Sequence, residues 1–181
     1  MSEVVGLLLA AGAGRRFGGP KALARDASGR PWLRLAHDAL VEGGCTDVTV
    51  VLGATADEAR ALVPDGARVV VADDWERGQS ASLAAGLRAL PPAVAVAVTL
   101  VDLPGQTAAA VARVGHDARP ASLRRAVFGG RPGHPVLLGR DHWADLLDVL
   151  AGDEGARTYL RSHGAEGVDC TDLGGGEDVD R

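Results

Sequence analysis

The stretch LLLAAGAGRRFGGPKAL, residues 7–23, decides the fold class. It continues VVG into an apolar run with no polar alternation, the pattern of a strand buried on both faces. Small residues follow at once: Ala11, Gly12, Gly14, Gly18 and Gly19, with Arg15, Arg16 and Lys21 among them. A buried strand that breaks into a glycine-rich loop before a helix lets backbone amides converge on an anion.

The same alternation repeats outward from this loop. Trp32, Leu35, Ala36, Ala39 and Leu40 follow helical spacing, and Gly43-Gly44 end that helix. DVTVVLG at 47–53 reads as a second strand, DEARALV as a short helix and ARVVVA at 67–72 as a third strand. SASLAAGLRAL at 80–90 reads as a helix opened by a Ser80 cap, AVAVAVTLV at 93–101 as the fourth strand, and QTAAAVARV at 106–114 as the helix behind it. Beyond residue 120, LRRAVFGG and GHPVLL suggest two strands around a turn. Trp143, Leu146, Leu147 and Leu150 mark an amphipathic helix, GARTYLRSHG a short one, and AEGVDC a last strand. This pattern predicts a Rossmann-like, three-layer α/β/α fold with a mainly parallel sheet, in one domain spanning 1–181. Gly152 to Gly155 is the one late hinge.

Several function classes fall away. The formal charge of -5 argues against a protein that coats nucleic acid, though it leaves room for one small basic pocket. The run at 93–101 is far short of the roughly 20 apolar residues that span a bilayer, and MSEVVGLLLAAG is not a secretory start, so the expected location is cytoplasmic. Cys45 and Cys170 are too few and too far apart for a disulfide framework or a zinc site. The loop is no P-loop, because Pro20 precedes Lys21 and Ala22 stands at the hydroxyl position. Nor does Gly12, Gly14, Gly18 match the dinucleotide spacing, and the second strand ends in VLGAT without the acidic residue that binds a ribose.

Of the 19 basic side chains only Lys21 is a lysine, and the chain has no Ile and no Asn. A composition so drained of AT-rich codons keeps a lysine where a compact, flexible ammonium does what guanidinium cannot. Phe17 reads as an apolar plug closing the loop. Three cations in one loop repel each other unless an anion neutralises them, and a triphosphate carries several negative charges. Further on, VTLVDLPGQT puts Asp102 just past the most hydrophobic strand, at the edge where open α/β sheets bind ligands. There it suits Mg2+, which needs few protein ligands, or equally a cap for the helix at 106.

LAAGAGRRFGGPK resembles the signature of nucleotidyltransferases that use an NTP and release pyrophosphate, more narrowly the molybdenum cofactor cytidylyltransferase group of MobA-like NTP transferases. The resemblance implies a fold of the nucleotide-diphospho-sugar transferase type. It implies that Leu9, Ala10, Ala11, Gly12, Gly14, Arg15 and Arg16 line the nucleotide while Lys21 binds phosphate. The A-A-G start is similar to members that take CTP, whereas guanylyl-transferring relatives usually read A-G-G. Asp102 falls on the family's D-x-P metal station. WERGQSASLAAGL resembles the family's G-M-S-S-S-L segment, so Gly78, Gln79, Ser80 and Ser82 would meet base and ribose, with Gln79 in place of methionine. RPGHPVLLGRDHW and GDEGARTYL resemble its G-H-P-V-L and G-D-x-G-A-R boxes, which assigns Gly133, His134, Pro135 and Arg157 to the acceptor. Read alone, these are a tight turn and a surface helix. The ending GGGEDVDR resembles D-[IV]-D-T-P-E-D-L, which makes Asp180 the second metal ligand and Asp178 its support, with Arg181 at the threonine position.

The resemblance runs from residue 4 to 180, with five boxes in the family's order. It implies a nucleotide-binding half at 1–115 and an acceptor-binding half at 116–181. It also implies transfer of CMP from CTP to a molybdopterin-type phosphate with Mg2+, and docking to a molybdoenzyme maturation partner. Lys21, Arg15, Arg16 and Asp102 would be catalytic. Two alternatives stand beside it: another NTP with another acceptor, such as a sugar phosphate or cofactor precursor, and a non-catalytic nucleotide-binding protein.

Overall fold

A computed structural model describes residues 3–177 and residue 179. Its central strand is β1, Val4–Ala10, in which every residue after Val4 is buried. Side chains alternate across the strand. Leu8 and Ala10 join the core beneath one layer of helices, and Val5, Leu7 and Leu9 the core beneath the other. Leu7 and Leu8 are wholly inaccessible, and burying each is worth about 1.5–3 kcal/mol.

From β1 the chain passes through α1 (Trp32–Glu42), β2 (Val48–Leu52), α2 (Ala56–Arg60) and β3 (Arg68–Val71). It returns along α3 (Gln79–Ala89) to β4 (Ala95–Leu100), continues through α4 (Ala108–Gly115) and forms the hairpin β5 (Leu123–Phe128) and β6 (Arg131–Gly139). α5 (Trp143–Val149), α6 (Arg157–Ser162) and β7 (Glu166–Asp169) complete it. The seven strands lie in the order β3-β2-β1-β4-β6-β5-β7. β1 pairs in parallel with both β2 and β4, and β6 runs antiparallel to β4 and β5. The sheet is mainly parallel, in an α/β fold, as the sequence pattern predicts.

Two features shape the functional edge. The chain builds first to one side of β1 and then to the other, so the carboxyl ends of β1 and β4 flank a topological switch point. In the hairpin, Gly129 and Gly130 take positive φ angles of 56° and 78°, which suits a two-residue turn that matches strand twist. Arg125 then pairs with Val136 but Val127 with Pro132, so β6 spends two extra residues there. The Gly133-His134-Pro135 segment is therefore a bulge rather than a tight turn, with a cis His134–Pro135 bond.

Helix boundaries differ from expectation at two caps. α3 starts at Gln79 with Gly78 as its cap, and the Ser80 hydroxyl makes no capping bond. It donates instead to the Ala151 carbonyl at 2.9 Å, because Ser80 sits inside the first turn and faces the 151–155 loop. α4 begins at Ala108, where Thr107 Oγ1 accepts the Ala110 amide at 3.2 Å.

α3 lies against β1 and β2 at Gly86. A Cβ there would stand 2.7 Å from Leu7 Cδ1 and 2.9 Å from Val51 Cγ2. Gly86→Val is expected to cost about 2 kcal/mol through overpacking, read as a lower urea midpoint. An unchanged midpoint would mean that the helix can lift from the sheet.

Candidate active site

The loop after β1 is shaped by one carbonyl. Gly14 O accepts the amides of Phe17, Gly18 and Gly19 at 3.0, 3.1 and 3.2 Å. Gly14 holds φ at 59°, and a Cβ on it would lie 1.8 Å from Gly19 O, so only glycine closes this turn. Its base is fastened to the end of β2 by Ala54 N–H donating to Ala11 O at 3.1 Å. Among the described residues the amides of Gly12, Ala13, Gly14 and Arg15 donate to no protein group, and all four residues line one cavity. Such a row of unused donors suits phosphate oxygens.

That cavity, about 430 Å³, also takes in Leu9, Ala10, Ala11, Lys21, Trp75, Gly78, Gln79, Ser82, Asp102 and Asp153. Lys21 opens a short 3-10 turn. Its Nζ donates to Asp102 Oδ2 at 3.2 Å, with both side chains largely covered. Phe17 packs on Trp32 with ring centroids 5.3 Å apart, and the Lys21 ammonium lies 5.8 Å from the Phe17 centroid. Asp102 follows β4, and its backbone carbonyl accepts the Val179 amide at 3.0 Å. Its second carboxylate oxygen, Oδ1, is buried with no hydrogen-bond partner among the described residues. A buried orphan oxygen beside a phosphate-shaped loop is the place for a hard divalent cation.

A second cavity, about 290 Å³, adjoins the first and shares Leu9, Gln79, Leu100 and Asp102 with it. The β6 bulge brings Gly133 and His134 to its wall, and Arg125 and Arg157 line it too. Close packing pushes the His134 imidazole down to about 4, with the Arg157 charge adding to the effect, so the ring is neutral at physiological pH.

The predicted residues thus fall into two groups. Leu9, Ala10, Ala11, Gly12, Gly14, Arg15, Lys21, Gly78, Gln79, Ser82 and Asp102 share the first cavity; Gly133, His134 and Arg157 line the second. Arg16 is exposed and Pro135 is buried, and neither lines these two cavities. Ser80 lines a separate crevice on the outer side of α3, a correction to its placement against base and ribose. Asp180 and Asp178 lie outside the described residues. Sequence reasoning missed Arg125, Trp75 and Asp153. For Arg125 a signal existed, since it shares the inward register of β5 with Leu123.

The profile of the MobA-like NTP transferase domain matches residues 6–168. The chain is 38% identical, over 98% of its length and 92% of the relative's, to nicotine blue oxidoreductase of Paenarthrobacter nicotinovorans. Among solved structures it is similar to Rv0371c of Mycobacterium tuberculosis, with 30% identity and a TM-score of 0.83 over 99% of this chain and 93% of that one. A further structure of Rv0371c is a manganese complex. A nucleotidyl transferase of Methanothermobacter thermautotrophicus gives 25% identity and a TM-score of 0.79, over 93% of this chain and 88% of that one.

The neutral His134 ties stability to pH. An unfolded imidazole takes its proton near pH 6.5 and the folded one only near 4. The contribution is therefore complete above about pH 6.5 and is lost as pH falls toward 4. His134→Gln is expected to remove on the order of 2–3 kcal/mol of the stability loss between pH 7.5 and 4.5, by urea unfolding at the two values. An unchanged loss would mean that the ring titrates as if in water.

Proposed function

The chain belongs to the MobA-like NTP transferase family, and we propose that it transfers CMP from CTP to the phosphate of a molybdopterin-type acceptor, releasing pyrophosphate. The observation that carries this reading is the Lys21–Asp102 pair at 3.2 Å, set where the two cavities meet. One cavity suits a nucleotide triphosphate and the other an acceptor. The A-A-G start of the loop supports CTP. A cytoplasmic location belongs to the same proposal; among the described residues no helix is long and apolar enough to cross a membrane.

The residues divide the work by charge and position. The amides of Gly12 to Arg15 bind phosphate oxygens, and Lys21 with Arg15 neutralises charge on the departing pyrophosphate. Gly78, Gln79 and Ser82 lie at the start of α3, where the Gln79 side chain and the Ser82 hydroxyl meet base and ribose. Gly78 is held at φ 106°, with Asp153 so close that a Cβ would come within 2.2 Å of its Oδ1. His134 and Arg157 orient the acceptor, the neutral ring positioning rather than removing a proton. The acceptor phosphate is already ionised, so no strong base is needed. Residues 1–115 supply most of the nucleotide side, and 116–181 bring His134 and Arg157 to the acceptor side.

Asp102 fits a divalent cation through its orphan Oδ1, and Mg2+ is the proposed ion, with Asp180 as a second ligand. Bound there, it would supply Lewis-acid neutralisation of the phosphates. The manganese complex of Rv0371c supports a divalent ion in this family.

A second reading is favoured by the 38% identity to a protein named for oxidoreductase activity on nicotine blue. Cys45 and Cys170 are buried free thiols, and burial pushes Cys45 up to about 12, so neither serves as an internal redox centre. An oxidoreductase on this scaffold would draw its electrons from a reduced dinucleotide whose pyrophosphate occupied the same loop.

Pyrophosphate release is to be followed with each of the four NTPs and Mg2+, with and without molybdopterin. CTP- and acceptor-dependent release is expected. Lys21→Ala and Asp102→Ala should each lower it by at least ~100-fold with the thermal unfolding midpoint retained. Consumption of a reduced dinucleotide with a dye and no pyrophosphate release would replace this reading by the second.

A further inference from the structure

After Leu173 the chain returns to the site through three consecutive glycines, Gly174, Gly175 and Gly176. Among the described residues these glycines exchange no hydrogen bond with other backbone, and the one backbone bond made beyond Leu173 is that of the Val179 amide on the Asp102 carbonyl, at 3.0 Å. The polar fastening of this segment thus lands on the residue that keeps a buried, unpartnered carboxylate oxygen.

Packing seats the glycines. Gly175 holds φ at 82° and passes so close over the turn after β4 that a Cβ would overlap the Gly105 carbonyl oxygen and stand 3.3 Å from Gln106 Cα. One residue on, a Cβ on Gly176 would overlap the Phe128 ring at the end of β5. The segment is therefore threaded between that turn and Phe128, and at its far end Val179 packs against the core shared by α1 and α4. The turn is fixed from below as well. The Gln106 amide donates to the Leu103 carbonyl at 3.0 Å, and Thr99 Oγ1 donates to Gln106 Oε1 at 3.3 Å, tying the turn to β4. Gln106 Nε2 is buried with no partner among the described residues, a cost that an apolar side chain at this position would avoid. Asp102 is clamped at its backbone from both sides.

We propose that Gly175, Gly176 and Val179 form a strap that positions Asp102 for a divalent cation. The inference rests on the reading of Asp102 as a cation ligand, and it requires neither the nucleotide nor the acceptor to be the one named above. Contacts behind a metal ligand set its orientation, and losing one typically costs about 10–100-fold in metal affinity. A hard cation bound by few protein ligands has no others to make good a misplaced carboxylate. The glycines act through backbone position alone, since a side chain at Gly175 or Gly176 would lift the strap and with it the Val179 amide.

Calorimetric titration of the full chain with Mn2+, in the absence of nucleotide and acceptor, tests this, and Asp102→Asn identifies the heat that belongs to the site. Gly176→Ala is expected to weaken Asp102-dependent Mn2+ binding by at least ~10-fold. Phe128→Ala in the same chain clears room for the new methyl and should bring the affinity back to within ~3-fold of native, a rescue that a chain failing to fold would not show. Val179→Pro, which removes the amide donor, should weaken binding as Gly176→Ala does. Gly105→Ala, whose methyl would stand 3.5 Å from Gly175 Cα in ordinary contact, should bind Mn2+ like the native chain. Native affinity in both Gly176→Ala and Val179→Pro, or a loss that Phe128→Ala does not repair, would overturn the proposal. Mn2+ heat that is absent or survives Asp102→Asn would remove the cation reading and the strap with it. An Asp102-dependent, strap-dependent Mn2+ site in a chain that releases no pyrophosphate would sink the transferase reading and leave the strap standing.

Discussion

Everything at this site depends on the parallel pairing of β1 with β4. Leu9 pairs with Leu100, and the Val101 amide donates to the Leu9 carbonyl at 3.1 Å, so the two strands end together. Because the chain leaves β1 through α1 toward β2 and leaves β4 through α4 toward the β5–β6 hairpin, these neighbouring strands are continued in opposite directions and a crevice opens beyond their ends. The glycine loop leaves from one strand and Asp102 from the other, which is why residues 81 positions apart can bond. Without that pairing, Lys21 would be a surface ammonium and Asp102 a turn residue.

The charged pair at the site differs from those on the surface in being largely covered. Several arginines outside the site are matched: Arg113 pairs with Asp172, Arg68 with Asp47 and Arg124 with Glu166. Such exposed pairs contribute little to stability. Arg125 and Arg157 face the second cavity, and Asp102 keeps one oxygen unbonded. A folded protein leaves a buried polar group unsatisfied at some cost, so the orphan oxygen of Asp102 at the sheet edge is consistent with ligand binding there.

Much of this was legible in the sequence because strand and helix periods are strong signals. The buried strand at 4–10, the glycine-rich loop and the aspartate after the fourth strand follow from residue type and order alone. What the sequence hid was orientation. Taking α3 to begin one residue late puts Ser80 at the cap; in the helix that begins at Gln79, each residue turns by about 100° from the last. Gln79, Ser82 and Leu83 therefore face the cavities, and Ser80, Ala84 and Arg88 face the crevice behind. Arg125 escaped for a related reason. Its neighbour Arg124 belongs to the opposite face of β5, and a pair of adjacent arginines in one strand reads as surface until the sheet assigns each a side.

The loop by itself does not choose between nucleotidyl transfer and the redox chemistry in the relative's name. Its amides suit a pyrophosphate of either kind, although its glycine spacing departs from that of a dinucleotide loop. Asp102 weighs on the choice. The Asp102 carboxylate is paired with Lys21, yet its Oδ1 is buried without a hydrogen-bond partner among the described residues. A nucleotide triphosphate that arrives with a divalent cation would give that oxygen a partner. A dinucleotide brings no such ion and would leave that oxygen without a partner. The placement of Asp102 beside the phosphate loop is therefore an advantage for metal-bound NTP and a cost for the alternative, and it supports the transferase reading from the electrostatics of this chain.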